Sequence, residues 1–368
     1  MGERGNVVRR VALVALAVLL ASGCVAAGEP VGSVAGDSLL VPTEVYVLTR
    51  ADLIERNIHT LDDILQMLPG VALWREGPHA ATGAYSIDGR ESRGVNLLVN
   101  GIPVTDSYTM ESLTRFLPLS RLARVEVVYS GSPCFSGDLS SRGFINVVLE
   151  EGGREGPDSQ IDFTYGSSNR RVRRAWFATP KTYLSAALAY DEYLQDGIEA
   201  YPANPTLLLG KYDGRSILAE LAMSSSTGDE LLVRLQQYED SYGGTALGPS
   251  EDVRWSGFGS EISWRRAGFS GSLTQRVLDL ARRAGTLHER TVGVIGRWGG
   301  ALRGLAVRTF ASAERAEYDH EIWSVHFSPS YHRVEGGITL GGVVHQGVTW
   351  RLGAYGGDHS TVGSYGSV

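Results

Sequence analysis

Four consecutive polar residues, Tyr318, Asp319, His320 and Glu321, have side chains suited to acid–base or metal chemistry. Imidazole and carboxylate groups carry protons near neutral pH and are common metal ligands. The four residues fall between two predicted strands, however, and a solvated loop accounts for their polarity without any such site. The segment is therefore interpreted as a loop, and no metal is expected there.

Three histidines later in the sequence could bind haem together if the fold placed their side chains in one interior cavity. They stand on different predicted segments: His326, His332 and His345. No stretch of the sequence resembles a nucleophile elbow, a phosphate-binding loop or a metalloprotease helix. The sequence therefore predicts neither an enzyme nor a resident cofactor.

The composition excludes several classes of protein. Only 20% of the 368 residues are charged and 43% are hydrophobic, so the chain is not a disordered charged tail. A formal net charge of -7 argues against a nucleic-acid binder, whose affinity comes mainly from basic patches. The two cysteines, Cys24 and Cys134, leave no room for a disulfide framework, and Cys134 is expected to be a buried free thiol.

Residues 1–27 have the pattern of a secretory signal peptide. Arginines precede an apolar run at Val11–Leu20, which is shorter than the ~20 residues that a membrane-spanning helix needs. Val25–Ala27 fits the small-residue cleavage rule. A lipobox at Ala21–Cys24, with Cys24 lipidated, is the alternative. Both interpretations predict an exported protein.

After a linker at residues 28–40, residues 41–150 alternate short helices with short strands, which predicts an α+β domain. Two capping boxes mark helix starts: Thr49 with Asp52, and Thr60 with Asp63. Asn100-Gly101 predicts a tight hairpin turn, because both residues tolerate a positive φ. The predicted strands are Val71–Trp74, Val95–Val99, Arg124–Tyr129 and Phe144–Leu149. The expected core is aliphatic: Leu61, Ile64, Leu65, Leu68, Leu97, Val99, Val125, Val127, Ile145 and Val147.

Residues 158–368 change to a different pattern of about eleven weakly alternating segments separated by Gly- and Asp-rich breaks. Examples are Ser216–Ser225, Glu230–Glu239, Arg254–Trp264, Phe269–Leu278, Val292–Trp298 and Trp323–Tyr331. Strands of this length with aromatic ends are typical of outer-membrane barrels, which face lipid on one side and a polar lumen on the other. A water-soluble β-sandwich is the alternative fold.

Five segments of the first domain stand in the order of one known family. They are Val41–Leu53, Leu61–Val71 with its Pro-Gly-Val end, Asn96–Val104, Leu119–Gly131 and Gly143–Val148. Together they resemble the plug domain of TonB-dependent outer-membrane receptors over nearly all of residues 41–150. The resemblance implies an α+β plug domain followed by an antiparallel transmembrane β-barrel. The charged plug residues Arg124 and Glu126, with Arg93, Arg115 and Arg121 nearby in the sequence, are then expected to pair with lumen-facing Asp and Glu residues such as Glu220 or Glu239.

The resemblance also implies a function: uptake of a scarce nutrient such as a ferric siderophore, cobalamin or a similar chelate across the outer membrane. The partners would be TonB with ExbB and ExbD. The ligand-binding residues would lie in apical plug loops: Arg75, His79, Asp106, Ser107 and Tyr108. A candidate TonB box precedes the plug at Asp37, Ser38, Leu39, Leu40 and Val41, with almost no linker between them.

The length of the second region departs from the family. About eleven strands are half of the 22 expected for a barrel whose lumen holds a plug. A half barrel would leave unpaired edges in lipid, so the sequence is interpreted as the N-terminal part of a longer protein. The alternative function is an exported recognition or signalling protein that keeps the plug fold and the sheet without transport.

Overall fold

The computed structural model describes most of residues 45–367. The plug region is described at 45–55, 61–75, 83–87, 96–103, 119–129 and 144–150. The second region is described from 158 to 367, apart from 181, 197, 200–207, 210, 246–247, 267, 283–284, 303–304, 323, 346–347 and 361–362. No helix within these ranges has the length and the apolar character that crossing a membrane requires.

The described residues of the first domain form two short helices, a 3₁₀ turn at Leu119–Arg121 and seven strands. The helices are α1 (Arg50–Glu55) and α2 (Leu61–Met67). The strands are β1 (Val45–Thr49), β2 (Val71–Arg75), β3 (Gly83–Ile87), β4 (Asn96–Val99), β5 (Ile102–Pro103), β6 (Leu122–Val128) and β7 (Phe144–Leu149). Five of them form one sheet in the order β1-β6-β7-β4-β5, in which β4 and β7 are parallel, while β2 and β3 form a separate hairpin.

The predicted capping box starts helix α1. The Thr49 backbone N–H donates to the Asp52 carboxylate at 2.8 Å, and the Asp52 N–H reaches the Thr49 hydroxyl at 3.4 Å. This exchange satisfies backbone N–H groups that the first helical turn leaves without an intrahelical partner. Thr60, the start of the second box, lies outside the described residues. Helix α2 buries Ile64 and Leu65, as its apolar stripe predicts.

The Asn100-Gly101 turn joins β4 to β5 as the sequence predicts. Both residues have positive φ, 50° at Asn100 and 78° at Gly101, which is the geometry of a two-residue hairpin. Leu98 lies opposite Pro103, and Val99 lies opposite Ile102. The Asn100 side chain also accepts a hydrogen bond from the Leu149 N–H at 2.9 Å, so the turn is tied to the end of β7.

In the part of the second region that the structure describes, thirteen strands form one antiparallel sheet and two more form a small hairpin. Its strands are β8 (Asp158–Tyr165), β9 (Arg171–Ala178), β10 (Leu184–Gln195), β13 (Lys211–Ser224), β14 (Glu230–Thr245), β15 (Gly248–Arg266), β16 (Phe269–Arg282), β17 (Gly285–Leu302), β18 (Leu305–Ile322), β19 (Val325–Phe327), β20 (Ser330–His345), β21 (Val348–His359) and β22 (Gly363–Ser367). The small hairpin pairs β11 (Ile198–Glu199) with β12 (Leu208–Leu209). Every long strand pairs with its neighbours along the chain, from β8 at one edge to β22 at the other.

The two faces of this sheet differ in burial. Along β13, Tyr212, Gly214, Ser216, Leu218 and Glu220 are buried, and the residues that alternate with them are exposed or half-buried. We call the buried side, which faces the first domain, the inner face, and the opposite side the outer face. The outer face carries large exposed apolar side chains on most strands, among them Phe177, Leu188, Ile217, Leu235, Phe258, Ile262, Leu273, Val294 and Ile338. This alternation fits a barrel wall with an apolar exterior.

The sequence underestimated the lengths of the strands. Segments of about 8–13 residues are predicted, whereas β15 has 19 residues and β17 and β18 have 18 each. The predicted single strand Trp323–Tyr331 is wrong, because Ser328 and Pro329 separate β19 (Val325–Phe327) from β20, which starts at Ser330. The predicted loop Tyr318–Glu321 is also wrong: it is the end of β18, with Tyr318 and His320 on the inner face and Asp319 and Glu321 exposed.

The core of the first domain extends into the sheet. The expected aliphatic residues on α2, β4, β6 and β7 that the structure describes are buried, with Val99 packed beside them. Three side chains from the inner face complete the same cluster: Trp176, Ala189 and Leu218. The two regions therefore share one hydrophobic core.

A shared core predicts that the first domain is poorly stable alone. Residues 37–152 expressed without the sheet should be soluble but unfold at low urea, because the isolated domain loses Trp176, Ala189 and Leu218 from its core. A urea titration followed by circular dichroism measures this midpoint. A midpoint equal to that of the full chain would contradict the shared core.

Candidate functional site

The 3₁₀ turn of the first domain docks on the inner face of β9 and β10. The Ser120 hydroxyl donates to the Asp191 carboxylate at 3.0 Å, and the Ser120 backbone N–H lies 3.5 Å from the same oxygen. Arg174 lies on the other side of Asp191, with its Nε 3.7 Å from the second carboxylate oxygen. Asp191 thus accepts hydrogen bonds from the first domain and forms an ion pair with an arginine of its own sheet.

Two arginines of the first domain pack against one tryptophan of the sheet. The guanidinium of Arg50 lies 4.4 Å from the ring centre of Trp176, and that of Arg121 lies 5.7 Å from it. The Glu150 carboxylate pairs with both arginines, at 3.2 Å and 3.7 Å. Burial lowers the pKa of Arg121, and the charges of Glu220 and Glu150 oppose that shift. We call this group, with Ser120, Asp191 and Arg174, the docking cluster.

A second contact joins the first domain to the far part of the sheet. Arg297 on β17 donates through Nη2 to the Gly101 carbonyl oxygen at the tip of the β4–β5 turn. The Gly101 N–H donates to the Asn146 side chain at 2.8 Å, and Asn146 donates to the fully buried Glu126 at 2.9 Å. Glu126 in turn accepts from Arg124 at 2.8 Å. A continuous polar network therefore runs from the sheet to β6.

These contacts correct only part of the expected charge pairing, because Arg121 of the first domain does interact with the charge of Glu220, which opposes the lowering of the Arg121 pKa by burial. Arg124 and Glu126 pair with each other, and Glu220 pairs with Arg234 at 2.9 Å. Glu239 lies on the outer face and is exposed, so it cannot face the first domain. Charge complementarity alone did not reveal these partners, because the strand register decides which side chains are neighbours.

The inner face also carries ion pairs between neighbouring strands. Arg234 bridges Glu220 and Glu261 at 2.9 Å and 2.6 Å, and all three side chains are largely buried. Arg276 contacts Glu289 at 2.8 Å. Buried charges of this kind are tolerated only when they are paired.

Aromatic residues cover the inner face near the ends of the strands that lie away from the tight turn at residues 225–229. They are Tyr193, Tyr212, Tyr238, Tyr242, Trp255, Tyr318 and Tyr331, packed with Leu278, Leu280 and Leu287. We call this set the tyrosine surface. Tyr193 and Tyr212 meet edge to face at 5.5 Å, and the Tyr318 and Tyr331 rings are stacked at 6.0 Å. All of these aromatic side chains except Tyr193 are less than 10% exposed, and the Tyr212 and Tyr331 hydroxyls donate to Asp240 at 3.4 Å and to Glu314 at 2.6 Å. The rings therefore form a closely packed aromatic layer on the inner face.

Two glycines make room for these rings. Gly257 lies directly opposite Tyr238 on the neighbouring strand, and a Cβ added to Gly257 would overlap the Tyr238 phenol ring. A Cβ added to Gly214 would likewise overlap the ring of Tyr212, which lies two residues away on the same strand and the same face. The sequence shows the tyrosines and the glycines, but their pairing follows only from the register.

Most of the predicted site residues lie outside the described residues. These are His79, Asp106, Ser107, Tyr108, and the candidate TonB box at Asp37, Ser38, Leu39, Leu40 and Val41. For Arg75 the structure describes only the backbone, which ends β2 opposite Gly83. Cys24 and Cys134 also lie outside the described residues.

The fold shows which way two of the three histidines considered for haem binding point. His326 contacts the outer-face residue Asp319 at 3.0 Å, and His332 lies opposite Arg315, which is also on the outer face. Neither imidazole therefore points toward the first domain. Within the described ranges, no group of three or more His, Cys, Asp and Glu side chains is placed to hold a metal ion.

Comparison with a protein-family model identifies the class to which the first domain belongs. Residues 38–143 match the family model of the TonB-dependent receptor plug domain. The first domain is therefore a TonB-dependent receptor plug domain, as the five ordered segments predict.

Solved structures extend the likeness to the sheet. The siderophore receptor PirA from Pseudomonas aeruginosa is 15% identical, with a TM-score of 0.68 over 88% of this chain and 57% of its own. The ferric enterobactin receptor PfeA from Pseudomonas aeruginosa, in a mutant bound to enterobactin, is 16% identical, with a TM-score of 0.68 over 88% of this chain and 59% of its own. The ferric yersiniabactin uptake receptor FyuA from Yersinia pestis is 14% identical, with a TM-score of 0.63 over 91% of this chain and 60% of its own.

These likenesses show the fold, which is a plug domain with a large antiparallel sheet that resembles part of a TonB-dependent receptor barrel. The chain spans 57% to 60% of the length of these three structures. The sheet is accordingly open among the described residues, with β8 and β22 at its edges.

Proposed function

We propose that this protein is a TonB-dependent outer-membrane receptor that captures a metal chelate, such as a ferric siderophore or cobalamin, and imports it. The observation that carries the proposal is the plug domain docked on the inner face through the docking cluster and the shared core. A plug held against the inside of a barrel wall blocks passage until it is moved. The proposal includes export by the signal peptide at residues 1–27, and it includes no enzymatic activity.

The ligand would bind between the tyrosine surface and the plug. Ferric siderophores combine a flat or aromatic chelating core with polar edges, and tyrosine offers both complementary surfaces. The apical loop residues Arg75, His79, Asp106, Ser107 and Tyr108 would complete the site from the plug side. Siderophore binding by PirA, PfeA and FyuA, which their names state, supports this class of ligand.

A binding titration tests the ligand class. The full chain, purified in a neutral detergent, is titrated with ferric enterobactin, a ferric hydroxamate and cyanocobalamin, and quenching of its intrinsic tryptophan fluorescence is followed. One ligand should bind with at least about 100-fold higher affinity than the other two, because a fitted pocket discriminates by several kcal/mol. The metal-free chelators serve as controls. Equal and weak quenching by all ligands would contradict the proposal.

Energy would come from TonB, with ExbB and ExbD, through the candidate box at Asp37, Ser38, Leu39, Leu40 and Val41. Such a segment pairs edge to edge with a strand of its partner, so its backbone N–H groups are essential. The segment lies only a few residues before β1, which starts at Val45. Tension on the box would therefore be transmitted directly to the edge strand of the plug sheet.

Replacing Leu40 with proline tests the coupling. Proline removes a backbone N–H and should lower chelate uptake by at least about tenfold, while ligand binding stays unchanged. Uptake of radiolabelled ferric chelate by cells and binding by the purified protein are measured in parallel. Leu40→Ala, which keeps the N–H, is the control. Unchanged uptake by the proline variant would support the alternative, a recognition protein that does not transport.

A further inference from the structure

The Asn100-Gly101 turn of the plug is held from two sides. On the side of the large sheet, Arg297 donates to the Gly101 carbonyl oxygen, and a Cβ added to Gly101 would lie 3.4 Å from Arg297 Nη1. On the plug side, the Gly101 N–H donates to the Asn146 side chain at 2.8 Å. One residue of the turn therefore joins β17 to the interior of the plug sheet.

The plug side of this connection is buried and contains a charge. Asn146 donates to one Glu126 oxygen at 2.9 Å, and Arg124 donates to the other at 2.8 Å. Asn146 is 1% exposed and Glu126 is fully buried. A carboxylate in such a place depends on its hydrogen bonds, and the low local dielectric strengthens each of them. The position of the Asn146 side chain is therefore fixed by Glu126, and the turn is fixed by Asn146.

Strand β1 covers this network at the edge of the plug sheet. Val47 of β1 lies directly opposite Glu126 of β6, which lies opposite Asn146 of β7. Residues that are opposite each other on neighbouring strands point to the same face, so the Val47 side chain lies beside that of Glu126. β1 is an edge strand, and it follows the candidate TonB box in the sequence. Removal of β1 would admit water to Glu126 and weaken the hydrogen bonds that fix the turn.

The contact of Arg297 is separate from the main anchor of the plug. The side chains of the large sheet that take part in the shared core lie on β9, β10 and β13, and Ser120 binds Asp191 of β10. Arg297 lies on β17, which is four strands further along the sheet than β13. The turn can therefore move away from β17 while Ser120 stays bound to Asp191.

We propose that Arg297 is a positioning residue that keeps the plug turn against β17, and that withdrawal of β1 releases the turn through Glu126 and Asn146. The inference rests on the proposed function in that β1 is the strand on which the candidate TonB box would pull. When β1 leaves, water reaches Glu126, Asn146 loses its fixed position, and the turn moves away from Arg297. The plug then opens on the side of β17 and remains anchored on β9 and β10.

Hydrogen exchange of the full chain in neutral detergent tests the contact with Arg297. Mass spectrometry follows the amides of residues 98–102. In Arg297→Gln these amides should exchange about tenfold faster or more, because the turn loses a hydrogen bond from a charged donor. Arg265→Gln is the matched control, since Arg265 lies in the same row of the inner face but pairs with Glu230 at 3.5 Å. The control should leave the exchange of the turn unchanged.

A double substitution in β1 tests the coupling. Successive residues of a strand point their N–H groups to alternate sides, so Tyr46→Pro/Val47→Pro removes a hydrogen bond to β6. The turn should again exchange about tenfold faster, and adding Arg297→Gln should cause little further increase, because both changes remove the same contact. Tyr46→Ala/Val47→Ala keeps both N–H groups and controls for loss of the two side chains, so it should accelerate exchange less.

Further measurements separate unfolding of the plug and failure of the proposed function from failure of this inference. The amides of α2 should keep their protection in every variant, and Arg297→Lys, which keeps a charged donor, should retain part of the protection of the turn. The assay needs neither chelate nor TonB, so these results support the role of Arg297 even if no chelate is imported. Faster exchange in Arg265→Gln, additive effects of the β1 and Arg297 substitutions, or loss of α2 protection together with the turn would overturn the inference. An unchanged turn in Arg297→Gln would also overturn it, even in a chain that binds chelate.

Discussion

Replacing Trp176 with alanine should lower the free energy of unfolding by about 3–5 kcal/mol. Trp176 is 5% exposed and fills the core that the plug and the sheet share. Its loss leaves a cavity at the docking surface and removes the ring on which Arg50 and Arg121 rest. The guanidinium of Arg121, already buried, then has fewer compensating contacts. Urea titration of the full chain in detergent, followed by circular dichroism, measures the change.

The neighbouring residue provides a matched control. Phe177 is also aromatic and lies on the same strand, but it is on the outer face and 52% exposed. Phe177→Ala should change the unfolding free energy by less than about 1 kcal/mol in detergent, because the removed ring touches no shared core. Protease cleavage of the plug should increase only in Trp176→Ala. A similar effect of both substitutions would refute the docking role of Trp176.

Replacing Gly257 with alanine should destabilise the sheet by about 1–3 kcal/mol and weaken chelate binding. The new Cβ would occupy the space of the Tyr238 phenol ring, which must then leave its place on the inner face. Tyr238 is 5% exposed within the tyrosine surface, so its displacement disturbs the neighbouring rings. The unfolding midpoint and the chelate titration described above report the two effects.

The same substitution at Gly259 should have the opposite effect on the stability of the protein. It lies on the same strand and the same face as Gly257, yet its added Cβ would meet no described atom within 4 Å. Gly259→Ala should stabilise the protein by up to about 1 kcal/mol, because alanine loses less conformational entropy on folding. The two variants should therefore change the free energy of unfolding in opposite directions. Destabilisation by both would show that overlap with the tyrosine ring does not cause the effect of Gly257→Ala.

The sequence predicted the plug more accurately than the sheet. The plug has local signals with a direct physical basis: the Thr49–Asp52 capping box, the Asn100-Gly101 turn and the apolar stripe of α2 all occur where expected. The sheet has weaker signals, because its strands are apolar on one face and mixed on the other. Polar strand ends such as Tyr318–Glu321 then resemble loops, although alternate side chains point to opposite faces.

The sequence predicts the residue types of the site but not which of these residues contact each other. Tyrosines, arginines and acids are visible in the sequence, but their partners depend on register and on contacts across the core. The pairs Ser120 with Asp191, Arg297 with Gly101 and Tyr238 with Gly257 join residues that no local pattern relates. The apical loop residues remain a prediction from the family resemblance.

The strand orders of the two sheets have a consequence for the rates at which they form. In the large sheet each long strand pairs with the next long strand along the chain, so every such pair can form as soon as its second strand is available. In the plug, β1 pairs with β6 and β4 with β7, so its sheet requires nearly the whole domain first. Contacts between distant residues slow folding. Pulse-labelling hydrogen exchange should therefore protect the amides of β13 to β18 before those of β1.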